Sequence, residues 1–519
     1  MADLTMYDLT RRDLKSGPSR RAVLGLLGGA AIAGSLTSPA RAAMPARGGR
    51  IRVATESSST ADTLDPVRSA QTTDYVRIYA HYNCLTTLDA KLVPQPELAE
   101  TFTTSDALTW SFSLRNGVTF HDGSSLTPAD VVYSLNRVKD PATGSIARAL
   151  AVQMEQITAD GADKVSIKLS SPNADLPAIL GTMHFAIVKD GTTDFSKGNG
   201  TGAFLCKEFQ PGVRSLAVRN PNYWKPGKPY LDELEIFSIQ DETARLNALM
   251  AGDIQIAAKL SMRFAQRAKT AANVAVFETP SGGYNDFILR QDAELTRNPD
   301  LVLALKYLQD RKQLQALVGG VIANDQPIDP TNRYFDATIP QRPFDPEKAK
   351  FHLRKAGTGS TPLPLYVMAG NTMADQALLL QQSALQAGLK IDLQRMPKDG
   401  YWSSVWFKHP FTGGSINPRP SADALLTLMF KSDSAWNESG WKSERFDSLL
   451  IQARGETDET KRKAMYSEMQ RTISDQGSIL IPNFLSFYDA HSSKVGGLTP
   501  IPLGALMGFG FAENVWLST

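Results

Sequence analysis

The sequence is poor in the residues that most often carry chemistry. It has two cysteines, Cys84 and Cys206, and six histidines scattered singly at positions 81, 121, 184, 352, 409 and 491. It contains no Cys-x-x-Cys pair, no His-Glu-x-x-His and no Gly-x-Ser-x-Gly, so the common metal-centred and serine-hydrolase arrangements leave no footprint. The glycines at 198, 200 and 202 form no phosphate loop, because no Gly-Lys-Ser/Thr follows and the next stretch reads as a strand. His121-Asp122 lies in the turn Phe120-His121-Asp122-Gly123 with no nucleophile or further ligand at useful spacing, and a turn accounts for both residues. The chain therefore reads as a binding protein, with no cofactor and no metal expected. An exported hydrolase is the competing class.

An excess of charge is missing as well. The net charge is +2, and with residues 1–42 set aside (six basic, three acidic) 49 Lys and Arg stand against 50 Asp and Glu. That balance gives no basic face for nucleic acid or a membrane surface. No apolar run approaches the ~20 residues that span a bilayer. Residues 23–36 are a weakly apolar Gly- and Ala-rich stretch, preceded by Ser19-Arg20-Arg21 and followed by the small-residue pattern Ala40-Arg41-Ala42. This is an export signal with cleavage between Ala42 and Ala43. The adjacent arginines, the modest hydrophobicity and Arg41 near the cleavage point fit the twin-arginine route into the periplasm. A retained membrane anchor is the alternative, disfavoured by the short run. No cysteine follows the cleavage pattern, so a soluble form without a lipid anchor is expected. In an oxidising compartment Cys84 and Cys206 form either one disulfide or two separate buried thiols, and spacing leaves both open.

The remaining length, about 477 residues, exceeds what one core fills and implies two or more lobes. Residues 108–115 alternate, with Leu108, Trp110, Phe112 and Leu114 on one side, and Asn116-Gly117 then predicts a tight hairpin turn. Thr127 caps a helix with Pro128 in its first position and Asp130 placed for a capping box. Residues 200–257 read as a Gly-rich turn, a strand pair, an aromatic corner at Asn222-Tyr223-Trp224, a third strand, and a helix capped by Asp241 and stopped by Gly252. Further on, a strand at 363–368, a helix at 373–387 and a strand at 389–395 form a β-α-β crossover, which requires parallel strands.

These strings carry a resemblance. Gly200-Thr201-Gly202-Ala203-Phe204, then Arg219-Asn220-Pro221-Asn222-Tyr223-Trp224, then Asp241 with Arg245-Leu246, Ala248-Leu249 and Gly252-Asp253-Ile254, resemble the family 5 extracellular solute-binding proteins, the peptide- and nickel-binding receptors of ABC importers. Leu92-Val93-Pro94 with Leu98-Ala99-Glu100, and residues 111–135, match the family's strings too. The resemblance implies an α/β, two-lobed periplasmic binding protein type II-like fold with mixed sheets. It places lobe I at 43–285 and 487–519, with an extra subdomain at about 86–198, and lobe II at 286–486. The implied role is a monomeric receptor that captures a small solute between its lobes and presents it to an inner-membrane permease. Reporting to a membrane sensor is the variant of that role.

The same resemblance supplies candidate contacts. The loop after the first strand opens at the cleft in the family, which nominates Glu56; Tyr284 and Asn285 lie on the strand that crosses between lobes. Residues 398–441 hold four of the seven tryptophans, Trp402, Trp406, Trp436 and Trp441, interleaved with small and polar residues. An enclosed cleft needs flat walls and few polar anchors, so Trp402 and Trp436 are candidate walls, while some of the four fill core. Peptide binders of the family carry Asp-Tyr-x-Asp-Pro here, whose first acid anchors a ligand ammonium. This chain has Asn417-Pro418-Arg419-Pro420 instead. Asp423 is either a substitute anchor or a structural acid, and Arg419 offers a planar charged fork for a carboxylate or phosphate. An anionic or zwitterionic ligand is expected.

Overall fold

The computed structural model describes residues 45–358 and 361–518. The export segment read from residues 1–42, with cleavage at Ala42 and Ala43, lies outside the described residues.

The architecture turns on two long antiparallel strands, Val274–Leu289 and Asn483–Ser492, in the middle of a twelve-stranded mixed sheet. On one side follow Ile256–Leu260, Arg50–Thr55, Glu233–Ser238, Arg214–Arg219 and Phe204–Gln210. On the other come Phe411–Ile416, Leu363–Met368 and Ile391–Met396. Each half has its own core. Ile51, Val53, Leu234, Ile236 and Phe204 pack together in the first half, and Phe287, Leu289, Leu365, Val367 and Leu380 in the second. Burying each such side chain contributes roughly 1.5–3 kcal/mol, so each half is held by its own apolar set. Between the halves the ladder of the two crossing strands breaks: register shifts between Pro280 and Tyr284. This two-lobed α/β arrangement is the expected fold.

Local chemistry accounts for the elements. The helix Glu242–Ala251 begins where the Asp241 carboxylate accepts from the Ala244 amide at 2.7 Å and ends at left-handed Gly252. Thr127 and Asp130 make the capping box of Pro128–Lys139. The parallel pair Leu363–Met368 and Ile391–Met396, joined by the helix Thr372–Gln386, is the predicted crossover.

The hairpin at Asn116-Gly117 is not formed. Thr109–Leu114 is an inner strand of a separate four-stranded antiparallel sheet, paired with Ala99–Thr104 and Lys164–Leu169, and the chain beyond Gly117 makes only a turn at residues 120–123, enclosed by one isolated bridge, Thr119 to Ser125. Both ladder edges of the strand were already taken by partners from elsewhere in the chain. This sheet and the helix Pro128–Lys139 share one core, built on Phe112, Leu135 and Ile167, and form the extra subdomain. Cys84 and Cys206 are separate free thiols, the first buried and pushed well up by burial.

The turn at Gly200 and Gly202 is the tightest backbone approach in the first half. A Cβ on either glycine would overlap the backbone of His81, at the end of the helix Thr72–His81. Overpacking of this kind costs about 1–3 kcal/mol. Gly202→Ala is therefore expected to lower the unfolding free energy from urea titration by that amount while leaving the far-UV circular dichroism of the folded protein unchanged.

Candidate functional site

Where β-strand ladders stop, backbone and side-chain polar groups need other partners. The break between Pro280 and Tyr284 is such a place. Gly282 and Gly283 lie in it; a Cβ on the first would press on Asp329 and on the second against Pro418 and the Ile416 carbonyl. Around the crossing strands several buried polar atoms have no hydrogen-bond partner among the described residues: Thr279 Oγ1, Tyr284 OH, Ser486 Oγ, Gln326 Oε1 and Arg419 Nε. This seam, open to both halves, is the candidate ligand site.

The structure distributes the nominated residues unevenly. Tyr284 is fully buried, its ring edge-on to Phe484 at 6.1 Å, and its hydroxyl is among the unpartnered atoms. Asn285, one residue on, points to the opposite sheet face: its Nδ2 donates to Gln376 Oε1 at 2.9 Å and Thr372 Oγ1 at 3.1 Å, and Gln376 donates to Asn483. The Asn285 amide thus ties the two crossing strands to the helix Thr372–Gln386. Glu56 follows the strand Arg50–Thr55; its Oε1 accepts from Thr72 Oγ1 at 2.6 Å and from Lys259 Nζ at 3.0 Å. Asn417 is exposed at the end of Phe411–Ile416.

Arg419 and Asp423 come from one short segment and meet opposite fates. Asp423 is buried in the first turn of Ala422–Phe430, where Arg454 Nε donates to both its oxygens at 3.0 and 3.1 Å. Its carboxylate is committed to that ion pair. The half-buried Arg419 has no ion pair and no hydrogen bond among the described residues. Burial pulls its guanidinium down from its ordinary value, and nearby Tyr284 acts the other way. A guanidinium with an open fork can take a carboxylate or phosphate bidentately.

The tryptophans split as well. Trp441 packs in the core against Phe446, and Trp406 lies partly buried with its Nε1 donating to Glu438 Oε1 at 2.6 Å. Trp402 and Trp436 stand nearly perpendicular to Trp406, each 5.4 Å from it between ring centres, and each is 43% exposed. They are flat apolar walls that no protein group covers fully.

Beneath them lies a pair that the sequence did not disclose. Asp286, on the crossing strand, and Glu438 are both buried beside Gly414, and neither Asp286 oxygen nor Glu438 Oε2 has a donor among the described residues; a proton held on one of the two carboxyls lets them satisfy each other. Gly414 makes room for them, since a Cβ there would overlap the Asp286 carboxyl and crowd Glu438. Burial pushes Asp286 up to about 7, and burial together with the Asp286 charge pushes Glu438 well up too, so the pair as a unit holds on to a proton. The only local signal was Gly413-Gly414 in a strand; 152 positions separate the two acids.

A carboxyl raised above its unfolded value stabilises the fold fully below about pH 4 and loses that contribution as pH rises through its folded value, here about 7 for Asp286. In Asp286→Asn that loss is absent. The unfolding free energy of the variant relative to wild type is expected to become steadily more favourable from about pH 4 to about pH 7, by up to ~1.4 kcal/mol per pH unit, and to change less above that. Parallel thermal melts check it; a difference independent of pH would refute the shared-proton assignment.

Among the described residues no helix is long and apolar enough to cross a membrane, and no group of three or more His, Cys, Asp or Glu is placed to hold a metal ion. Residues 93–437 match the model of the bacterial extracellular solute-binding proteins, family 5. The chain is 26% identical to di/tripeptide-binding protein 2 of Pseudomonas aeruginosa, with 91% of this chain and 96% of that one aligned. It is 25% identical to the glutathione-binding protein GsiB of an Escherichia coli strain, over 85% of this chain and 90% of the relative. The solved structure of the ABC transporter substrate-binding protein CtaP from Listeria monocytogenes superposes with a TM-score of 0.80 at 20% identity, covering 91% of this chain and all of that one.

Proposed function

The chain belongs to the bacterial extracellular solute-binding proteins, family 5, and on that premise we propose that it is the periplasmic receptor of an ABC importer for a small peptide-like solute bearing a carboxylate or other anionic group. The solute is held between the two lobes and delivered to an inner-membrane permease. The named relatives bind di- and tripeptides and glutathione, all of which end in a carboxylate.

The observation that carries this reading is the open guanidinium of Arg419, in the segment where peptide binders present an acid. Asp423, the nearest acid downstream, is consumed by Arg454. The ligand's negative group therefore meets Arg419, and its apolar portion meets Trp402 and Trp436. A charge-assisted anchor desolvated in a closed cleft contributes about 2–5 kcal/mol when truncated. Arg419→Ala is expected to weaken binding of di- and tripeptides or glutathione by at least about 30-fold in calorimetric titrations, with C-terminal amides binding wild type and variant equally weakly. Unchanged affinity for the free acids in the variant sinks the reading.

Export through the twin-arginine route follows from Arg20-Arg21 ahead of the apolar stretch. Replacing both by lysine is expected to leave a precursor of full length in the cytoplasm and to empty the periplasmic fraction, as fractionation and intact-mass measurement will report. Normal cleavage after Ala42 in that variant assigns the segment to another route.

A further inference from the structure

The two halves of the molecule meet at a second place, away from the crossing strands. Asp175 lies just ahead of the short helix Leu176–Ile179 in the extra subdomain. Its carboxylate sits 2.8 Å from Nη1 of Arg462, on the helix Glu459–Gln476 in the other half, and the two side chains are 1% and 3% exposed. Arg333 approaches the same oxygen at 3.6 Å. Alongside, the Ala174 amide donates to the Arg454 carbonyl at 2.8 Å. Arg462 is itself oriented, donating to the Ala453 carbonyl at 2.9 Å and to Tyr334 OH at 2.8 Å.

Such a pair has two stable conditions and an expensive middle. Made, each ion replaces the water lost by the other; fully parted, each regains its hydration; half-made, a charge is left buried alone. A contact of this kind across a boundary between moving bodies acts as a catch. The surroundings favour the made state: burial raises the Asp175 carboxyl, and Arg462, Arg333 and the Ser421 hydroxyl more than reverse that, holding it below its usual range. Ser421 also connects the contact to the ligand site. It stands two residues after Arg419, and Pro420, Ser421 and Ala422 line a small gap with Lys91, Leu92 and Asp175 of the opposite half.

We propose that Asp175 is a positioning residue for closure: it latches the extra subdomain to the second lobe through Arg462, beside the segment that carries the Arg419 anchor. This rests on the reading that the lobes open and close. A ligand on Arg419 steadies residues 419–421, and these abut the latch, so anchoring and latching reinforce one another.

The test needs no ligand. Small-angle scattering of the cleaved, unliganded protein separates open from closed species. Wild type is expected to be mainly closed. Asp175→Asn and Arg462→Gln are each expected to raise the ratio of open to closed protein at least tenfold, and the double variant, Asp175→Asn with Arg462→Gln, to raise it little further than either alone. Arg333→Gln, at a more exposed position, is expected to shift it in the same direction by less, and it decides the matter if the buried variants do not fold. A destabilised variant with an unchanged scattering profile overturns the latch and leaves Asp175 as a packing residue. If wild type shows both species and no variant moves their ratio, the latch falls and the hinged receptor stands. If every protein, wild type included, shows one compact species, both fall.

Discussion

Two antiparallel strands hold this molecule together, and they constrain everything that it can do. Val274–Leu289 and Asn483–Ser492 are hydrogen-bonded to each other and serve both halves of the sheet, so neither half can leave without breaking a ladder. Rotation is cheap only where the ladder is already broken, between Pro280 and Tyr284, and there the chain places Gly282 and Gly283. The weak point of the sheet and the place where a solute would be enclosed are the same few residues. That coincidence lets binding and motion share one structural cause.

The distribution of unpaired polar atoms follows from it. Within each half, charged groups are spent on structure: Asp423 on Arg454, Arg311 and Arg342 on Asp325, Lys306 on three carbonyls at the end of Glu459–Gln476 in the second half, and Arg77 on Asp62 in the first. At the seam Thr279, Tyr284, Ser486 and Arg419 keep buried atoms without protein partners, as do Arg77, Tyr82, Arg245 and Arg311 elsewhere among the described residues. An unpaired buried polar atom costs about 1–3 kcal/mol, so a fold retains several together only where something else meets them. The Asp286–Glu438 pair resolves the same difficulty differently, by keeping a proton that water would have removed.

The proposed ligand contacts and the buried ion pair lie in different places: Trp402, Arg419 and Trp436 fall in residues 398–441, while Asp175 of the extra subdomain pairs with Arg462 of the second half. Within that segment Trp402, Trp436 and Arg419 can change without disturbing the core, which is filled instead by neighbours such as Tyr401, Phe411, Leu426 and Trp441. This explains how one frame serves relatives named for different solutes.

Much of the frame was legible in the sequence. Capping by Thr127 and Asp241, the stop at Gly252, the crossover at 363–396 and the family strings around Gly200 all rest on short-range stereochemistry, which neighbouring residues alone determine. The hairpin at Asn116-Gly117 was misread for the complementary reason: a strand's partners are chosen by the whole sheet, and Thr109–Leu114 found both of its own elsewhere. The open fork of Arg419 was foreseeable as chemistry, but its lack of a partner was not, nor was the capture of Asp423 by Arg454, 31 positions away. Asp175 and Arg462, 287 positions apart, carry no local signal at all. Sequence by itself determined which elements form and which side chains are able to bind a charged solute. Only the tertiary structure decided which of those charges are already neutralised, because pairing depends on distances of a few ångströms between residues that the chain order keeps far apart.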